Sequence, residues 1–155
     1  MVREKARPHL ESLSQLAPQL NKATDLFMEE LKEIEAELGQ LNLGISVEFS
    51  KWIHTENVRT EFNDDGESIG DYFAAWTLGY GRADRGRWCL LLREYQVPAV
   101  GQQVAHPVER DCTPLLHASR DLRIAAAEYL PALLSDIEAT VKKKIEVLAK
   151  MTDKH

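Results

Sequence analysis

The sequence predicts an α+β domain: an antiparallel sheet of three to four strands flanked by long N- and C-terminal helices. Three patterns carry that expectation. A heptad-spaced apolar stripe runs from Leu10 to Leu41, a two-residue alternation begins after Leu43, and two aromatic-rich runs between Ile69 and Val97 enclose a polar, glycine-containing gap. The first period belongs to an amphipathic helix and the second to a half-buried strand. A chain of 155 residues suits one domain, 1–155, with room for a real core.

The helical stripe comprises Leu10, Leu13, Ala17, Leu20, Thr24, Phe27, Leu31, Ile34, Leu38 and Leu41. Alternating steps of three and four keep these side chains on one side of a helix. Between them stand charged helix formers such as Glu29, Glu30, Lys32, Glu33, Glu35 and Glu37. Pro18 removes a backbone donor and disfavours helix at Ala17. The expectation is a kink there, or a short first helix and a main one from about 18 to 38, with Gly39 as the stop.

From Leu43 onward Ile45, Val47, Phe49 and Ile53 alternate with Ser46, Glu48, Ser50 and Trp52, as in a strand with one apolar face. Lys51 falls in the apolar register and suggests an approach to solvent or a sheet edge. Asn63-Asp64-Asp65-Gly66 reads as a turn, and residues 57–62 as an extra strand. The hairpin follows. Asp84-Arg85-Gly86 suits a three-residue loop with Gly86 at positive φ, which sets Tyr80 opposite Leu90 and Leu78 opposite Leu92.

Residues 96–111 show no period, and Pro98, Gly101 and Pro107 predict a loop or a broken strand. Thr113-Pro114 then reads as N-cap and first turn of the last helix. Its buried stripe is Leu115, Ala118, Leu122, Ala125, Ala126, Tyr129 and Leu130. Beyond a junction at Pro131 the stripe continues with Leu134, Ile137, Val141, Ile145 and Leu148.

Net charge is −6, and only residues 113–155 are slightly basic. Acidic character over most of the chain argues against a surface that tracks nucleic-acid phosphates. Lys142-Lys143-Lys144, flanked by Glu138 and Glu146, reads as a solvated helix face. No apolar run approaches the ~20 residues of a membrane span. The N-terminal residues lack the apolar segment of a secretory leader. Cys89 and Cys112 make no disulfide framework, so reduced thiols and a cytoplasmic location are expected.

Chemistry-bearing patterns are weak. His117 and Asp121 share a helix face but have no third ligand at a supporting spacing. Cys112, beside Asp111 and near His106, has no Cys–His catalytic signature around it. Ser119 lacks a nucleophile elbow, and Gly79-Tyr80-Gly81 precedes a hairpin where a dinucleotide site needs a helix. No metal and no cofactor is expected, and whether the chain is an enzyme stays open.

One surface invites a site. With Tyr72, Trp76, Leu78, Trp88, Leu90 and Leu92 toward the helices, the other sheet face carries Phe73, Ala75, Thr77, Gly79, Cys89, Leu91, Arg93 and Tyr95. The first strand adds Glu48, Ser50, Trp52 and His54 if it follows the same pleat, and Trp52, His54, Arg93 and Tyr95 would line a shallow ligand groove on it. Cover by residues 97–111 or by another subunit is the favoured alternative, because Phe73 and Leu91 are too apolar to leave bare. Two long patterned helices on a small sheet should overhang it, and either pair with each other or with a second copy. The function expected is a cytoplasmic, non-catalytic protein–protein interaction module. It is expected to be a homodimer, with a possible protein partner and neither nucleic acid nor membrane. The alternative is a small-molecule binding or enzymatic domain using the second sheet face.

Overall fold

A computed structural model describes residues 1–83, 86–99 and 106–153. Its elements are helix α1 (Val2–Leu41), strands β1 (Val47–Glu48), β2 (His54–Thr55), β3 (Arg59–Phe62), β4 (Ser68–Arg82), β5 (Trp88–Pro98) and β6 (Val108–Pro114), a 3₁₀ turn at Leu115–His117, and helix α2 (Arg120–Thr152). The α+β expectation holds, with a correction to the strand count. The sheet has six antiparallel strands instead of three or four, because short β1, β2 and β3 pair in succession along one edge of β4.

The hairpin register is as the side-chain pattern requires: Tyr80 lies opposite Leu90 and Leu78 opposite Leu92. Gly86 takes a φ of 78°, while Asp84 and Arg85 lie outside the described residues. β5 continues to Pro98 and pairs with β6, so the periodless segment holds an outer strand as well as the undescribed residues 100–105. The Asn63 turn forms as expected. The Asn63 side-chain oxygen accepts from the backbone N–H groups of Asp65 and Glu67, and Gly66 sits at φ 79°.

Both helices cover one sheet face. Leu31 and Leu38 of α1 and Ala126, Leu130, Leu133 and Ile137 of α2 bury against Trp76, Leu78, Tyr80, Leu90 and Leu92. Two helix boundaries differ from the sequence reading. Helical hydrogen bonding runs through Pro8 and Pro18, so α1 starts at Val2 and passes Gly39, ending at Asn42 in the left-handed region (φ 48°). A helix of 40 residues tolerates single missing donors, since each further residue adds its own bond. At the other end Thr113-Pro114 belongs to β6. The cap of α2 is Ser119, whose hydroxyl accepts from the Leu122 N–H at 3.4 Å. Pro131 lies within α2 without interrupting it.

The two helices outrun the sheet. Residues 2–23 of α1 include no buried residue, and Leu10 and Leu13 are 57% exposed. Along α2 the last buried residue is Ile137, and Ile145 and Leu148 are about 60% exposed. At such exposure neither free stripe covers the other within the chain.

Candidate functional site

The second sheet face gathers a polar cluster around Glu48. The carboxylate oxygen Oε1 accepts from the Tyr95 hydroxyl at 2.7 Å and from Thr77 Oγ1 at 2.9 Å. The other oxygen faces Arg93 Nη1 at 3.5 Å, and Arg93 Nε faces Glu109 Oε1 at 3.6 Å. Arg93 is thus held between carboxylates from β1 and β6, with its side chain 18% exposed.

Local sequence makes the arrangement possible. A Cβ on Gly79 would stand 2.9 Å from the Val47 carbonyl and 3.0 Å from Arg93 Nη1. A Cβ on Gly81 would stand 3.5 Å from Arg93 Nη2. The guanidinium therefore lies across two glycines of β4, where any side chain at Gly79 would collide with backbone.

Of the four residues expected to line this face, the structure brings together Trp52, Arg93 and Tyr95. The Trp52 and Tyr95 rings pack at 5.4 Å. His54 is a correction. It pairs with Trp76 on the helix-covered side, ring centroids 5.4 Å apart. Between Phe49, whose N–H donates to Leu78 O, and His54, opposite Trp76, the edge chain advances five residues while β4 advances two. Three extra residues invert the side-chain alternation.

Burial, and then the hydrogen bond to Glu48, push the Tyr95 hydroxyl above the ordinary tyrosine range. A neutral donor locked onto a carboxylate is poor acid–base equipment, because its proton is already committed. Chemically, the cluster fixes strand positions and presents aromatic edges. Beside Tyr95 a cavity of about 310 Å³ opens, lined among others by Arg59, Phe73, Glu94 and Arg110.

A second grouping lies where β6 ends and leaves the edge of β5 unpaired. Glu35, one of the charged helix formers set between the stripe positions, is buried at 7% exposure. Its Oε2 accepts from the Leu90 N–H at 3.4 Å, and Oε1 faces Arg87 Nη2 at 3.6 Å. The carboxylate stands in for the strand that is missing beside Leu90. Burial raises its pKa, against opposition from that hydrogen bond and from Arg87 and His117. Glu35, Arg87, Cys89, Cys112 and His117 line a cavity of about 380 Å³ here.

Cys89 is buried, and its thiol is pushed up to about 11, chiefly by desolvation. Cys112 lies opposite Arg93, four residues along β5 from Cys89. At ~3.3 Å per residue that is well beyond the reach of a disulfide. Among the described residues no group of three or more His, Cys, Asp or Glu side chains is placed to hold a metal ion. None of the described helices is long and apolar enough to cross a membrane.

Glu109 and Glu35 escaped the sequence reading, while Glu48 was placed on this face by its pleat but not counted among the lining residues. Glu35 did carry a signal: it follows Leu31 by four and precedes Leu38 by three, which is a place in the buried stripe. Comparison of the chain with protein-family models, with curated proteins and with solved structures finds no match.

Proposed function

We propose that this chain is a non-catalytic protein–protein interaction module of the cytoplasm that self-associates through its helices. One observation carries the reading: the apolar stripe that buries Leu31 and Leu38 continues along α1 through Leu20, Leu13 and Leu10, which are 48–57% exposed. Ile145, Leu148 and Met151 repeat the situation on α2. Apolar stripes of this length in water are unfavourable at about 25 cal/mol per Å², which favours a covering partner. The second sheet face supports the same reading, since its central arginine already has two carboxylate partners and offers little unpaired charge to a ligand.

Light scattering on the purified chain at high micromolar concentration tests this. A dimer is expected, and the double variant Leu10→Glu/Leu13→Glu is expected to lose affinity while its far-ultraviolet circular dichroism stays that of the parent. A wild-type monomer at that concentration would remove the proposal.

A further inference from the structure

We infer that two copies pair antiparallel through residues 2–20 of α1, each N-terminus ending beside the point where its mate's helix meets the sheet. This rests on the self-association just proposed and adds the segment and the orientation. Leu10, Ala17, Thr24, Leu31 and Leu38 are spaced by seven, as are Leu13, Leu20, Phe27, Ile34 and Leu41. Seven residues return a helix nearly to the same side. The free stripe and the sheet-covered stripe are therefore one continuous side of one helix, open up to Leu20 and occupied from Thr24 to Leu38. One heptad back the rows continue to Arg3 and Ala6, so the open part reaches the helix start, giving about 28 Å of free length at 1.5 Å per residue.

That geometry discriminates between orientations. A parallel mate laid on the open stripe would carry its own residues 24–41 into the space where the first copy's sheet packs on Leu31 and Leu38. An antiparallel mate runs out at its Val2, opposite Leu20, before the sheet begins. Charge points the same way. Arg3, Lys5 and Arg7 are clustered at the exposed helix start, where only Glu4 and Glu11 offset them. Parallel pairing would stack the two basic clusters on each other, whereas antiparallel pairing sets each beside the uncharged Gln15 and Gln19 of the mate. Like charges facing across a helix pair destabilise it.

The second copy is favoured over a lipid surface because the stripe is collinear with a protein-covered one and carries a protein-packing heptad. The test uses full-length Ala6→Cys and Ala17→Cys, each in a Cys112→Ser background, since both alanines lie on the stripe and neither belongs to the core. Mildly oxidised separately and as a mixture at high micromolar concentration, they should give a disulfide-linked species in the mixture and little in either alone. Cross-linking of Ala6→Cys with itself would overturn the antiparallel orientation while leaving self-association standing. A dimer by light scattering with no disulfide in any sample would overturn the assignment of the segment. A monomer by light scattering that co-sediments with vesicles of anionic phospholipid would overturn both, assigning the stripe to a membrane surface.

Discussion

Glu48 and Tyr95 meet at 2.7 Å across the whole width of β4, although their partners on that strand, Gly79 and Ala75, are four residues apart. The diagonal contact links β1 to β5 over the central strand, with Thr77 donating to the same carboxylate oxygen on the way. Tyr95→Phe deletes one hydrogen bond and should destabilise by about 0.5–1.5 kcal/mol. Glu48→Ala strands Tyr95, Thr77 and one side of Arg93, and should cost about 1–3 kcal/mol. Its cost should fall toward the lower end, because the Glu48 side chain is 39% exposed. Urea unfolding of the two variants, alone and combined, checks this. Strict additivity would mean that the pair does not couple.

The same hydroxyl predicts an alkaline instability. Tyr95 keeps its proton in the folded chain above the ordinary value of 10.0. Between that value and the folded one the unfolded chain binds fewer protons, so stability falls as pH rises through this window. Tyr80, raised by burial, contributes in the same direction. Thermal melts from pH 9 upward should show a declining Tm, with a shallower decline in Tyr95→Phe. An identical slope in parent and variant would contradict the burial of this hydroxyl.

Glu35 gives an acidic counterpart. Its pKa is raised in the folded state, so the native chain holds the proton more tightly, and the associated stability is present below 4.5 and lost as pH rises through the folded value. Glu35→Gln keeps an acceptor for the Leu90 N–H without the buried charge, and should match or exceed the parent at pH 7. Glu35→Leu leaves that N–H unsatisfied, and should cost about 1–3 kcal/mol. If Gln and Leu proved equal, the carboxylate would not be acting as the missing strand.

The parts of this fold legible in the sequence are those where one periodicity acts alone. Leu78, Tyr80, Leu90 and Leu92 alternate without interruption, and register follows from pleat. The Asn63 turn was legible because asparagine and glycine each supply one specific requirement of it. Where two signals compete, tertiary pairing decides. Thr113-Pro114 resembles a helix start, but pairing of Pro114 with Leu91 on β5 takes it for the sheet and leaves the cap to Ser119. The site was half legible for a related reason. Ser50, Lys51 and Trp52 look like strand alternation, yet they are the insertion that turns His54 to the other side. Lys51 in the apolar register marked both the exposed edge of the sheet and the place where the pleat breaks.

Cys89 should be nearly inert. Its side chain is 2% exposed and its thiol titrates near 11, so little thiolate exists at pH 8. Ellman's reagent under native conditions should react at Cys89 at least tenfold more slowly than in denaturant, where burial is lost. Peptide mapping separates it from half-buried Cys112. Equal rates at Cys89 in both solvents would mean that this end of β5 opens readily.

The continuous stripe of α1 allows its two halves to be compared under one side-chain chemistry. Leu31 is fully buried, and Leu31→Ala should cost about 2–5 kcal/mol at any protein concentration, because it removes core packing. Leu13→Glu, more than two turns ahead of Thr24, the first buried position of the helix, removes nothing from that core. In dilute solution it should shift stability by less than about 0.5 kcal/mol, as exposed substitutions do. At high micromolar concentration the outcome should change, since pairing stabilises the folded chain by mass action. The parent's Tm should then rise with concentration, while that of Leu13→Glu stays flat. A Tm independent of concentration in both proteins would mean that the stripe finds no second copy. A large loss from Leu13→Glu in dilute solution would mean instead that the first half of α1 folds back onto the body of its own chain.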